Sequence, residues 1–397
     1  MTETIQAALS PLLIVGSFCG LGFFEYPLGR PRPYLTCLYF LIAWSFYVYL
    51  FYYFYTTICT TIYISWTNIV IIFSAILSMF VSLFRFKKLK TCLCKLSIVD
   101  DTLEVLGTSK EYRRLHKWTI RITIGWILLT LFMNTCDSLW INYEYFSISR
   151  ICVPFIGNHM FHVNALNGLI WGTILRYISS RFHQINEHIH NLLKDDVMYT
   201  RRQNKLILDI QQSTEEQKKC RQYMWIIMHV HLELCFILHE LNEVFSIQMT
   251  LQMASYFAFF VELCCEIYTT YADKNVDTFQ NFLDKLITYI WAVVYTAKLL
   301  ALNHICQMIC DKANETVAIL YKLSNDNSDK DLREQILQFL LQIKRREVKF
   351  YGMGLFYFGY DFIRKFYVTV AAVLVIIIQM HITYDNLLPY DDVINKS

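Results

Sequence analysis

Apolar residues run through this chain in long, nearly charge-free stretches, separated by polar segments dense in lysine and arginine. Seven stretches reach about 20 residues, the length at which a helix rising about 1.5 Å per residue crosses a hydrocarbon core about 30 Å thick. They cover residues 34–56, 62–84, 119–142, 152–175, 244–268, 286–308 and 363–384. In the first, eleven of the seventeen residues from Tyr39 to Tyr55 are aromatic. Such rings suit the membrane interface or the wall of a pocket. From Thr173 to Tyr351 there is no glycine or proline, which predicts long, unbroken helices joined by polar turns.

The fourth span continues through Ile185, Ile189 and Leu192 at helical spacing. The stretch 223–270 would be about 70 Å long as one helix, over twice the hydrocarbon thickness. Its first half is therefore expected in the cytoplasm. An amphipathic piece, Leu332–Arg346, ends in a cationic cluster favourable at a helix C-terminus. Together these extensions suggest a helical bundle beneath the membrane that associates subunits, because Ile336–Ile343 is apolar on both faces. The NDNSDK run at 325–330 reads as a flexible turn.

Composition agrees with the pattern. The 397 residues are 55% hydrophobic and 17% charged, against about 25% charged in soluble domains. The net charge of +3 matters less than its distribution. Segments 85–117, 176–222 and 309–362 hold nine, nine and eight Lys/Arg, while the alternate connections hold one or none. Basic loops stay cytoplasmic, so the N-terminus is expected inside and the C-terminus outside. Residues 4–24 are uncharged but short of a signal peptide's basic start; they are expected as a short helix against the inner leaflet. Thirteen cysteines without a CxxC pair read as small buried hydrophobes.

Catalytic and metal patterns are missing. His239-Glu240 lacks an HExxH continuation, and no phosphate loop or nucleophile elbow appears. No enzyme, cofactor, metal or nucleic-acid partner is expected. Polar residues within spans are more informative, because lipid makes them costly unless they face protein or water. Toward the outer half these are Asn134, Asp137 and Trp140, then Asn158 and His159, then Gln252 and Glu262. Tyr289, Trp291 and Tyr295 complete a candidate aromatic-walled, polar-tipped pocket for a small molecule.

The last span and its approach read FYGMGLFYFGYDFIRKFYVTVAAVLVIIIQM from Phe350 to Met380. This resembles the C-terminal signature region of insect gustatory receptors, in which Phe-x-x-x-Gly-Leu-Phe precedes the last span. Phe350, Gly354, Leu355 and Phe356 match it. The family's following Thr-Tyr, five apolar residues and Gln-Phe survive here only as the apolar spacing and Gln379, with Met380 in place of the phenylalanine. Leu241–Phe245 carries a Leu-Asn-x-x-Phe also found in the family.

The resemblance implies a divergent taste receptor: a ligand-gated, non-selective cation channel in the plasma membrane of sensory neurons, working as a homotetramer or with related receptors. In that reading residues 1–33 form an interfacial segment, and 34–308 hold the tastant-binding spans with their cytoplasmic extensions. Residues 309–362 form the loop and amphipathic helix of the bundle, 363–384 line the pore, and 385–397 form an outer tail. The resemblance would place Gln379 and Met380 at the outer constriction, with Val373 and Ile377 along the pore. An odorant receptor of the same superfamily and a G-protein-coupled receptor are the alternatives; the second needs the opposite orientation and lacks its Asp-Arg-Tyr and Asn-Pro-x-x-Tyr motifs here.

Overall fold

The computed structural model describes residues 4–25, 31–57, 66–142, 147–203, 210–272, 279–326 and 330–387. Ten helices occur among them: α1 Ile5–Phe18, α2 Pro33–Thr57, α3 Trp66–Val105, α4 Tyr112–Ile141, α5 Ile148–Gly157, α6 His159–Gln203, α7 Ile210–Ala272, α8 Phe279–Asp326, α9 Lys330–Arg345 and α10 Tyr360–Leu387. Two short strands, β1 Tyr351–Gly352 and β2 Phe356–Tyr357, pair antiparallel between α9 and α10.

Among the described residues, five segments are long and apolar enough to cross a membrane: Pro33–Phe54, Trp66–Val105, Tyr112–Ile141, Arg221–Tyr268 and Lys285–Asn325. The fourth and seventh expected spans fall on α5–α6 and on α10. The fourth is not one continuous helix. Pro154 and Gly157 weaken its start, and the chain turns at Asn158, whose N–H still donates to the Pro154 carbonyl at 2.9 Å. The residues that follow include His159, His162, Asn164 and Asn167, a polarity tolerated because much of α6 is enclosed by other helices.

Unbroken helices beyond the membrane follow from the missing glycines and prolines. At 63 residues α7 would be about 95 Å long, longer than the sequence reading. Where it leaves the membrane it joins α3, α6, α8 and α9 in a bundle at the basic end of the molecule. Leu96 and Leu103 of α3, Phe182 and Ile189 of α6, and Leu234 and Leu241 of α7 lie in its core. Ile309 and Leu320 of α8 and Ile336 and Phe339 of α9 complete it. One face of α9 is thus covered within the chain, while Leu337 and Leu341 on the other are exposed.

The N-terminal helix differs from a helix merely resting on lipid. Thr4 caps it through Oγ1, which accepts from the Ala7 N–H at 3.2 Å. Ile5, Ala8, Leu9 and Leu12 are fully buried, and the helix packs chiefly on α4. Pro11 is accommodated inside it.

One charged pair is sealed inside the bundle. Arg181 Nε of α6 lies 2.8 Å from Asp100 Oδ1 of α3, with side chains 2% and 0% exposed. Tyr112 and Tyr177 both donate to Asp100 Oδ2, at 2.8 and 2.6 Å. Three elements are pinned at this carboxylate.

Candidate functional site

The polar residues expected toward the outer half, on α4 and at the α5–α6 turn, meet as a network. Asn134 and Asp137 are three apart on α4 and share a face; the turn at Asn158 brings its amide between them. Asn158 Nδ2 donates to Asp137 Oδ2 at 2.6 Å and to Asn134 Oδ1 at 3.2 Å. From α8, Trp291 Nε1 donates to Asp137 Oδ1 at 3.1 Å. Both carboxylate oxygens are therefore engaged by neutral donors, and no cation lies against them in these bonds.

An aromatic wall stands beside this network. The Phe259 and Tyr295 rings stack at 3.9 Å, and Trp291 lies 5.7 Å from Phe161 and 5.8 Å from Tyr295. Tyr256 meets Tyr295 edge to face at 5.3 Å. A polar knot next to stacked rings can orient a small organic molecule by hydrogen bonds while the rings cover its apolar part.

The expected residues do not all converge. Asn134, Asp137, Asn158, Trp291 and Tyr295 come together. His159 turns to α2, its ring 5.4 Å from that of Tyr47, whose hydroxyl donates to the Ile156 carbonyl at 3.1 Å. Gln252 touches the wall only through Tyr256, to whose Oη its Nε2 donates at 2.7 Å, and otherwise belongs to a seam between α3, α6 and α7 with Ser74, Asn164 and Ser255. Glu262 accepts from the Thr67 hydroxyl across α3 and α7. Trp140 and Tyr289 point outward and are exposed.

Five members were missed in the sequence. His162 lies 3.1 Å from Asn134 Oδ1 through Nε2 and 3.4 Å from Thr130 Oγ1 through Nδ1; Phe161, Tyr256 and Phe259 complete the wall. Spacing could have found two of them, since Thr130 is four before Asn134 and His162 four after Asn158.

The signature residues form a structural joint. Residues 353–355 connect β1 to β2; Met353 and Gly354, with φ of 50° and 76°, are the central residues of a turn closed by the Leu355 N–H donating to the Gly352 carbonyl at 2.8 Å. Leu355 at its tip is exposed, whereas Phe350 is buried against Trp171 and Phe356 stacks on Phe362 at 4.6 Å. Two asparagines hold the hairpin: Asn242 of α7 accepts the Tyr351 N–H at 3.2 Å, and Asn303 of α8 accepts the Gly359 N–H at 3.0 Å. Asn242 is the amide of the Leu-Asn-x-x-Phe run, whose Phe245 ring lies 6.5 Å from Trp171.

On α10 the four expected pore residues differ in exposure, and by helical phase Met380 lies about 20° from Val373 and about 100° from Gln379. Gln379 and Met380 are exposed, whereas Val373 and Ile377 are half-buried and pack against the chain's own core. At about 100° per residue, Val373 and Ile377 lie about 120° and 160° around the helix from Gln379. The residues that share its exposed face are Val368, Ala372, Val375 and Ile376. Of the tail expected outside, 385–397, the part from 388 on lies beyond the described residues.

Residues 9–384 match the family model described as 7tm Chemosensory receptor. A Drosophila melanogaster protein described as "Putative gustatory receptor 28a" is 24% identical over 338 residues, covering 76% of this chain and 72% of its own. Among solved structures, the insect olfactory receptor OR5 from Machilis hrabei in complex with eugenol is similar with a TM-score of 0.59 at 9% identity. That likeness covers 94% of this chain and 97% of the other, and at such low identity it speaks for the fold. With a family match running over nearly its whole length, the chain belongs to the 7tm chemosensory receptor family.

Proposed function

We propose that this receptor is a ligand-gated, non-selective cation channel that opens on binding a small tastant, with four copies surrounding a pore lined by α10. The observation that carries this reading is the two-sided character of that helix. One face is packed into its own chain, and the other offers an apolar stripe interrupted by a single amide, Gln379. Facing lipid, the amide would be a liability; facing a water-filled axis it is hydrated. The thioether of Met380 beside it suits an apolar gate that opens by moving apart and wetting. The exposed Leu337 and Leu341 of α9 supply a second surface for neighbouring subunits.

Coupling would run through α8. Trp291 touches Asp137 at the outer network, and Asn303, twelve residues along the same unbroken helix, grips the residue before α10. Ligand contact at one end would then move the hairpin at the other as a rigid body. Shifting the channel from about 1% to about 50% open needs roughly 100-fold differential affinity, near 2.7 kcal/mol in all. Four sites would share it at about 0.7 kcal/mol each, within reach of a few tightened hydrogen bonds.

Whole-cell recording of the chain expressed alone against a tastant panel tests the reading; currents are expected without a G protein. Gln379→Ala is expected to alter ion selectivity or basal current with surface delivery intact, and an unchanged current–voltage relation would remove the pore role. An odorant receptor shares the architecture, and responses confined to volatile ligands would favour it. A G-protein-coupled receptor needs the reverse orientation, which sugar attachment at the Asn314-Glu315-Thr316 sequon would reveal. That sequon lies inside α8, with Thr316 buried and donating to Asn186 Oδ1 at 2.6 Å, and it is expected to carry no glycan.

A further inference from the structure

The segment between α9 and β1 borders a cavity of about 400 Å³, lined by Arg345, Arg346, Glu347 and Lys349 on one side and by Phe236 and His239 of α7 on the other. We propose that this cavity is an anion site that holds a multiply phosphorylated group. Its volume falls in the range of small-molecule sites and exceeds what a single ion needs.

Charge carries the argument. Three permanent cations meet one carboxylate in the wall, and Glu347 is taken by Lys349 at 2.8 Å. Arg345 and Arg346 make no ion pair among the described residues. The nearby carboxylates of α7 are engaged by α3 instead: Glu240 takes Lys95 at 2.7 Å, and Glu243 lies 3.8 Å from Lys88. Glu243 also lies 3.7 Å from His239 Nε2, and Asp311 of α8 accepts the Gln307 amide at 2.8 Å. The carboxyl end of α9 contributes about half a negative charge, which leaves a cationic excess facing the cavity. Paired guanidinium forks match phosphate oxygens in geometry as well as sign.

Position says where such a group comes from. Phe236 and His239 lie five to eight residues before the fifth apolar span, about 8–12 Å along the helix. That lies a few ångströms beyond the headgroup layer, which is about 5–8 Å deep on each side, within reach of a headgroup that projects from it. A phosphorylated inositol on a membrane lipid can reach the cavity, and a soluble inositol phosphate offers the same chemistry. An occupant there would brace α9 and α7 against the strand that begins at Tyr351, immediately before the hairpin.

The full-length protein supplies the test, and because binding is read without current it stands apart from the channel reading. Native mass spectrometry would measure uptake of phosphatidylinositol bisphosphate from phosphatidylcholine nanodiscs, and calorimetry would measure inositol hexakisphosphate in detergent. The triple variant Arg345→Gln/Arg346→Gln/Lys349→Gln is expected to bind at least tenfold more weakly. The triple variant Lys117→Gln/Lys218→Gln/Lys219→Gln removes equal charge elsewhere and is expected to bind as the parent does. Arg345→Lys/Arg346→Lys keeps the charge without the fork and is expected to fall between them, which guards against a variant that simply misfolds. Uptake of the lipid alone supports a headgroup site, and binding of both probes supports a site open to soluble phosphates. Equal loss in the distant variant, or no binding of either probe, overturns the proposal.

Discussion

Asp137 receives donors from two other elements, Asn158 at the α5–α6 turn and Trp291 on α8. Asp137→Ala would leave the Trp291 N–H without this acceptor and Asn158 with only its bond to Asn134, at about 1–3 kcal/mol for a buried group left unsatisfied. The variant is expected to melt several degrees lower in detergent and to lose ligand response, while Asp137→Asn, which retains one acceptor oxygen, is expected to lose less of both. A second residue-scale prediction concerns acid. His188 of α6 contacts Tyr223 of α7, with its Nδ1 2.8 Å from the hydroxyl, and lies beside Thr108 through Nε2. Burial holds its imidazole below the ordinary value near 6.5, partly opposed by the neighbouring Glu187. The neutral form is therefore the one the fold favours. Its contribution is complete above about pH 6.5 and is lost as the pH falls through the depressed value. Melting temperatures measured from pH 7.5 down to 5 are expected to fall less steeply for His188→Gln than for the parent.

At the scale of elements, the hairpin before α10 is the most constrained piece of backbone. A Cβ on Gly352 would lie 2.6 Å from the Phe356 ring and 2.8 Å from Thr250 Oγ1. Gly352→Ala is expected to destabilise the joint by about 1–3 kcal/mol and, on the proposed channel reading, to shift the ligand concentration of half-maximal response. Gly354 has open space around it but a φ of 76°; Gly354→Val is expected to cost about 1–2 kcal/mol and Gly354→Asn much less, read as melting temperatures. The sequence predicted the spans because a run of apolar residues can settle only one way in lipid. It predicted long, unbroken helices there because nothing in 173–351 breaks a helix, although α7 and α8 run further than the stretches it marked. It missed the turn at Asn158, where Pro154 and Gly157 were visible but were outweighed by the apolar run around them. It also missed which polar residues meet. Asn134, Asp137 and Asn158 lay at one depth and converge, yet Gln252 and His159 lay near that depth on other faces and do not. Depth can be counted along a chain; the rotation of one helix against its neighbours is fixed by packing. Val373 and Ile377 were placed with Gln379 for the same reason, and helical phase separates them.

For the whole molecule, the bundle at the basic end and the membrane helices form one continuous body, since α3, α6, α7 and α8 run from one into the other. Breaking one partner of the sealed Asp100–Arg181 pair leaves a buried charge uncompensated, at about 3–5 kcal/mol, whereas removing both is often near neutral. Arg181→Gln is therefore expected to reduce the amount of receptor reaching the cell surface more than Asp100→Asn/Arg181→Gln, measured by surface labelling. The pair also sets a timetable. Asp100 leaves the ribosome 81 residues ahead of Arg181, an interval of about 4–16 s at ordinary rates of synthesis. Until the second residue emerges, the nascent chain carries an acidic group with no counter-charge at its final address. This corner of the bundle can therefore seal only after residue 181 has been made, however early α3 itself is complete.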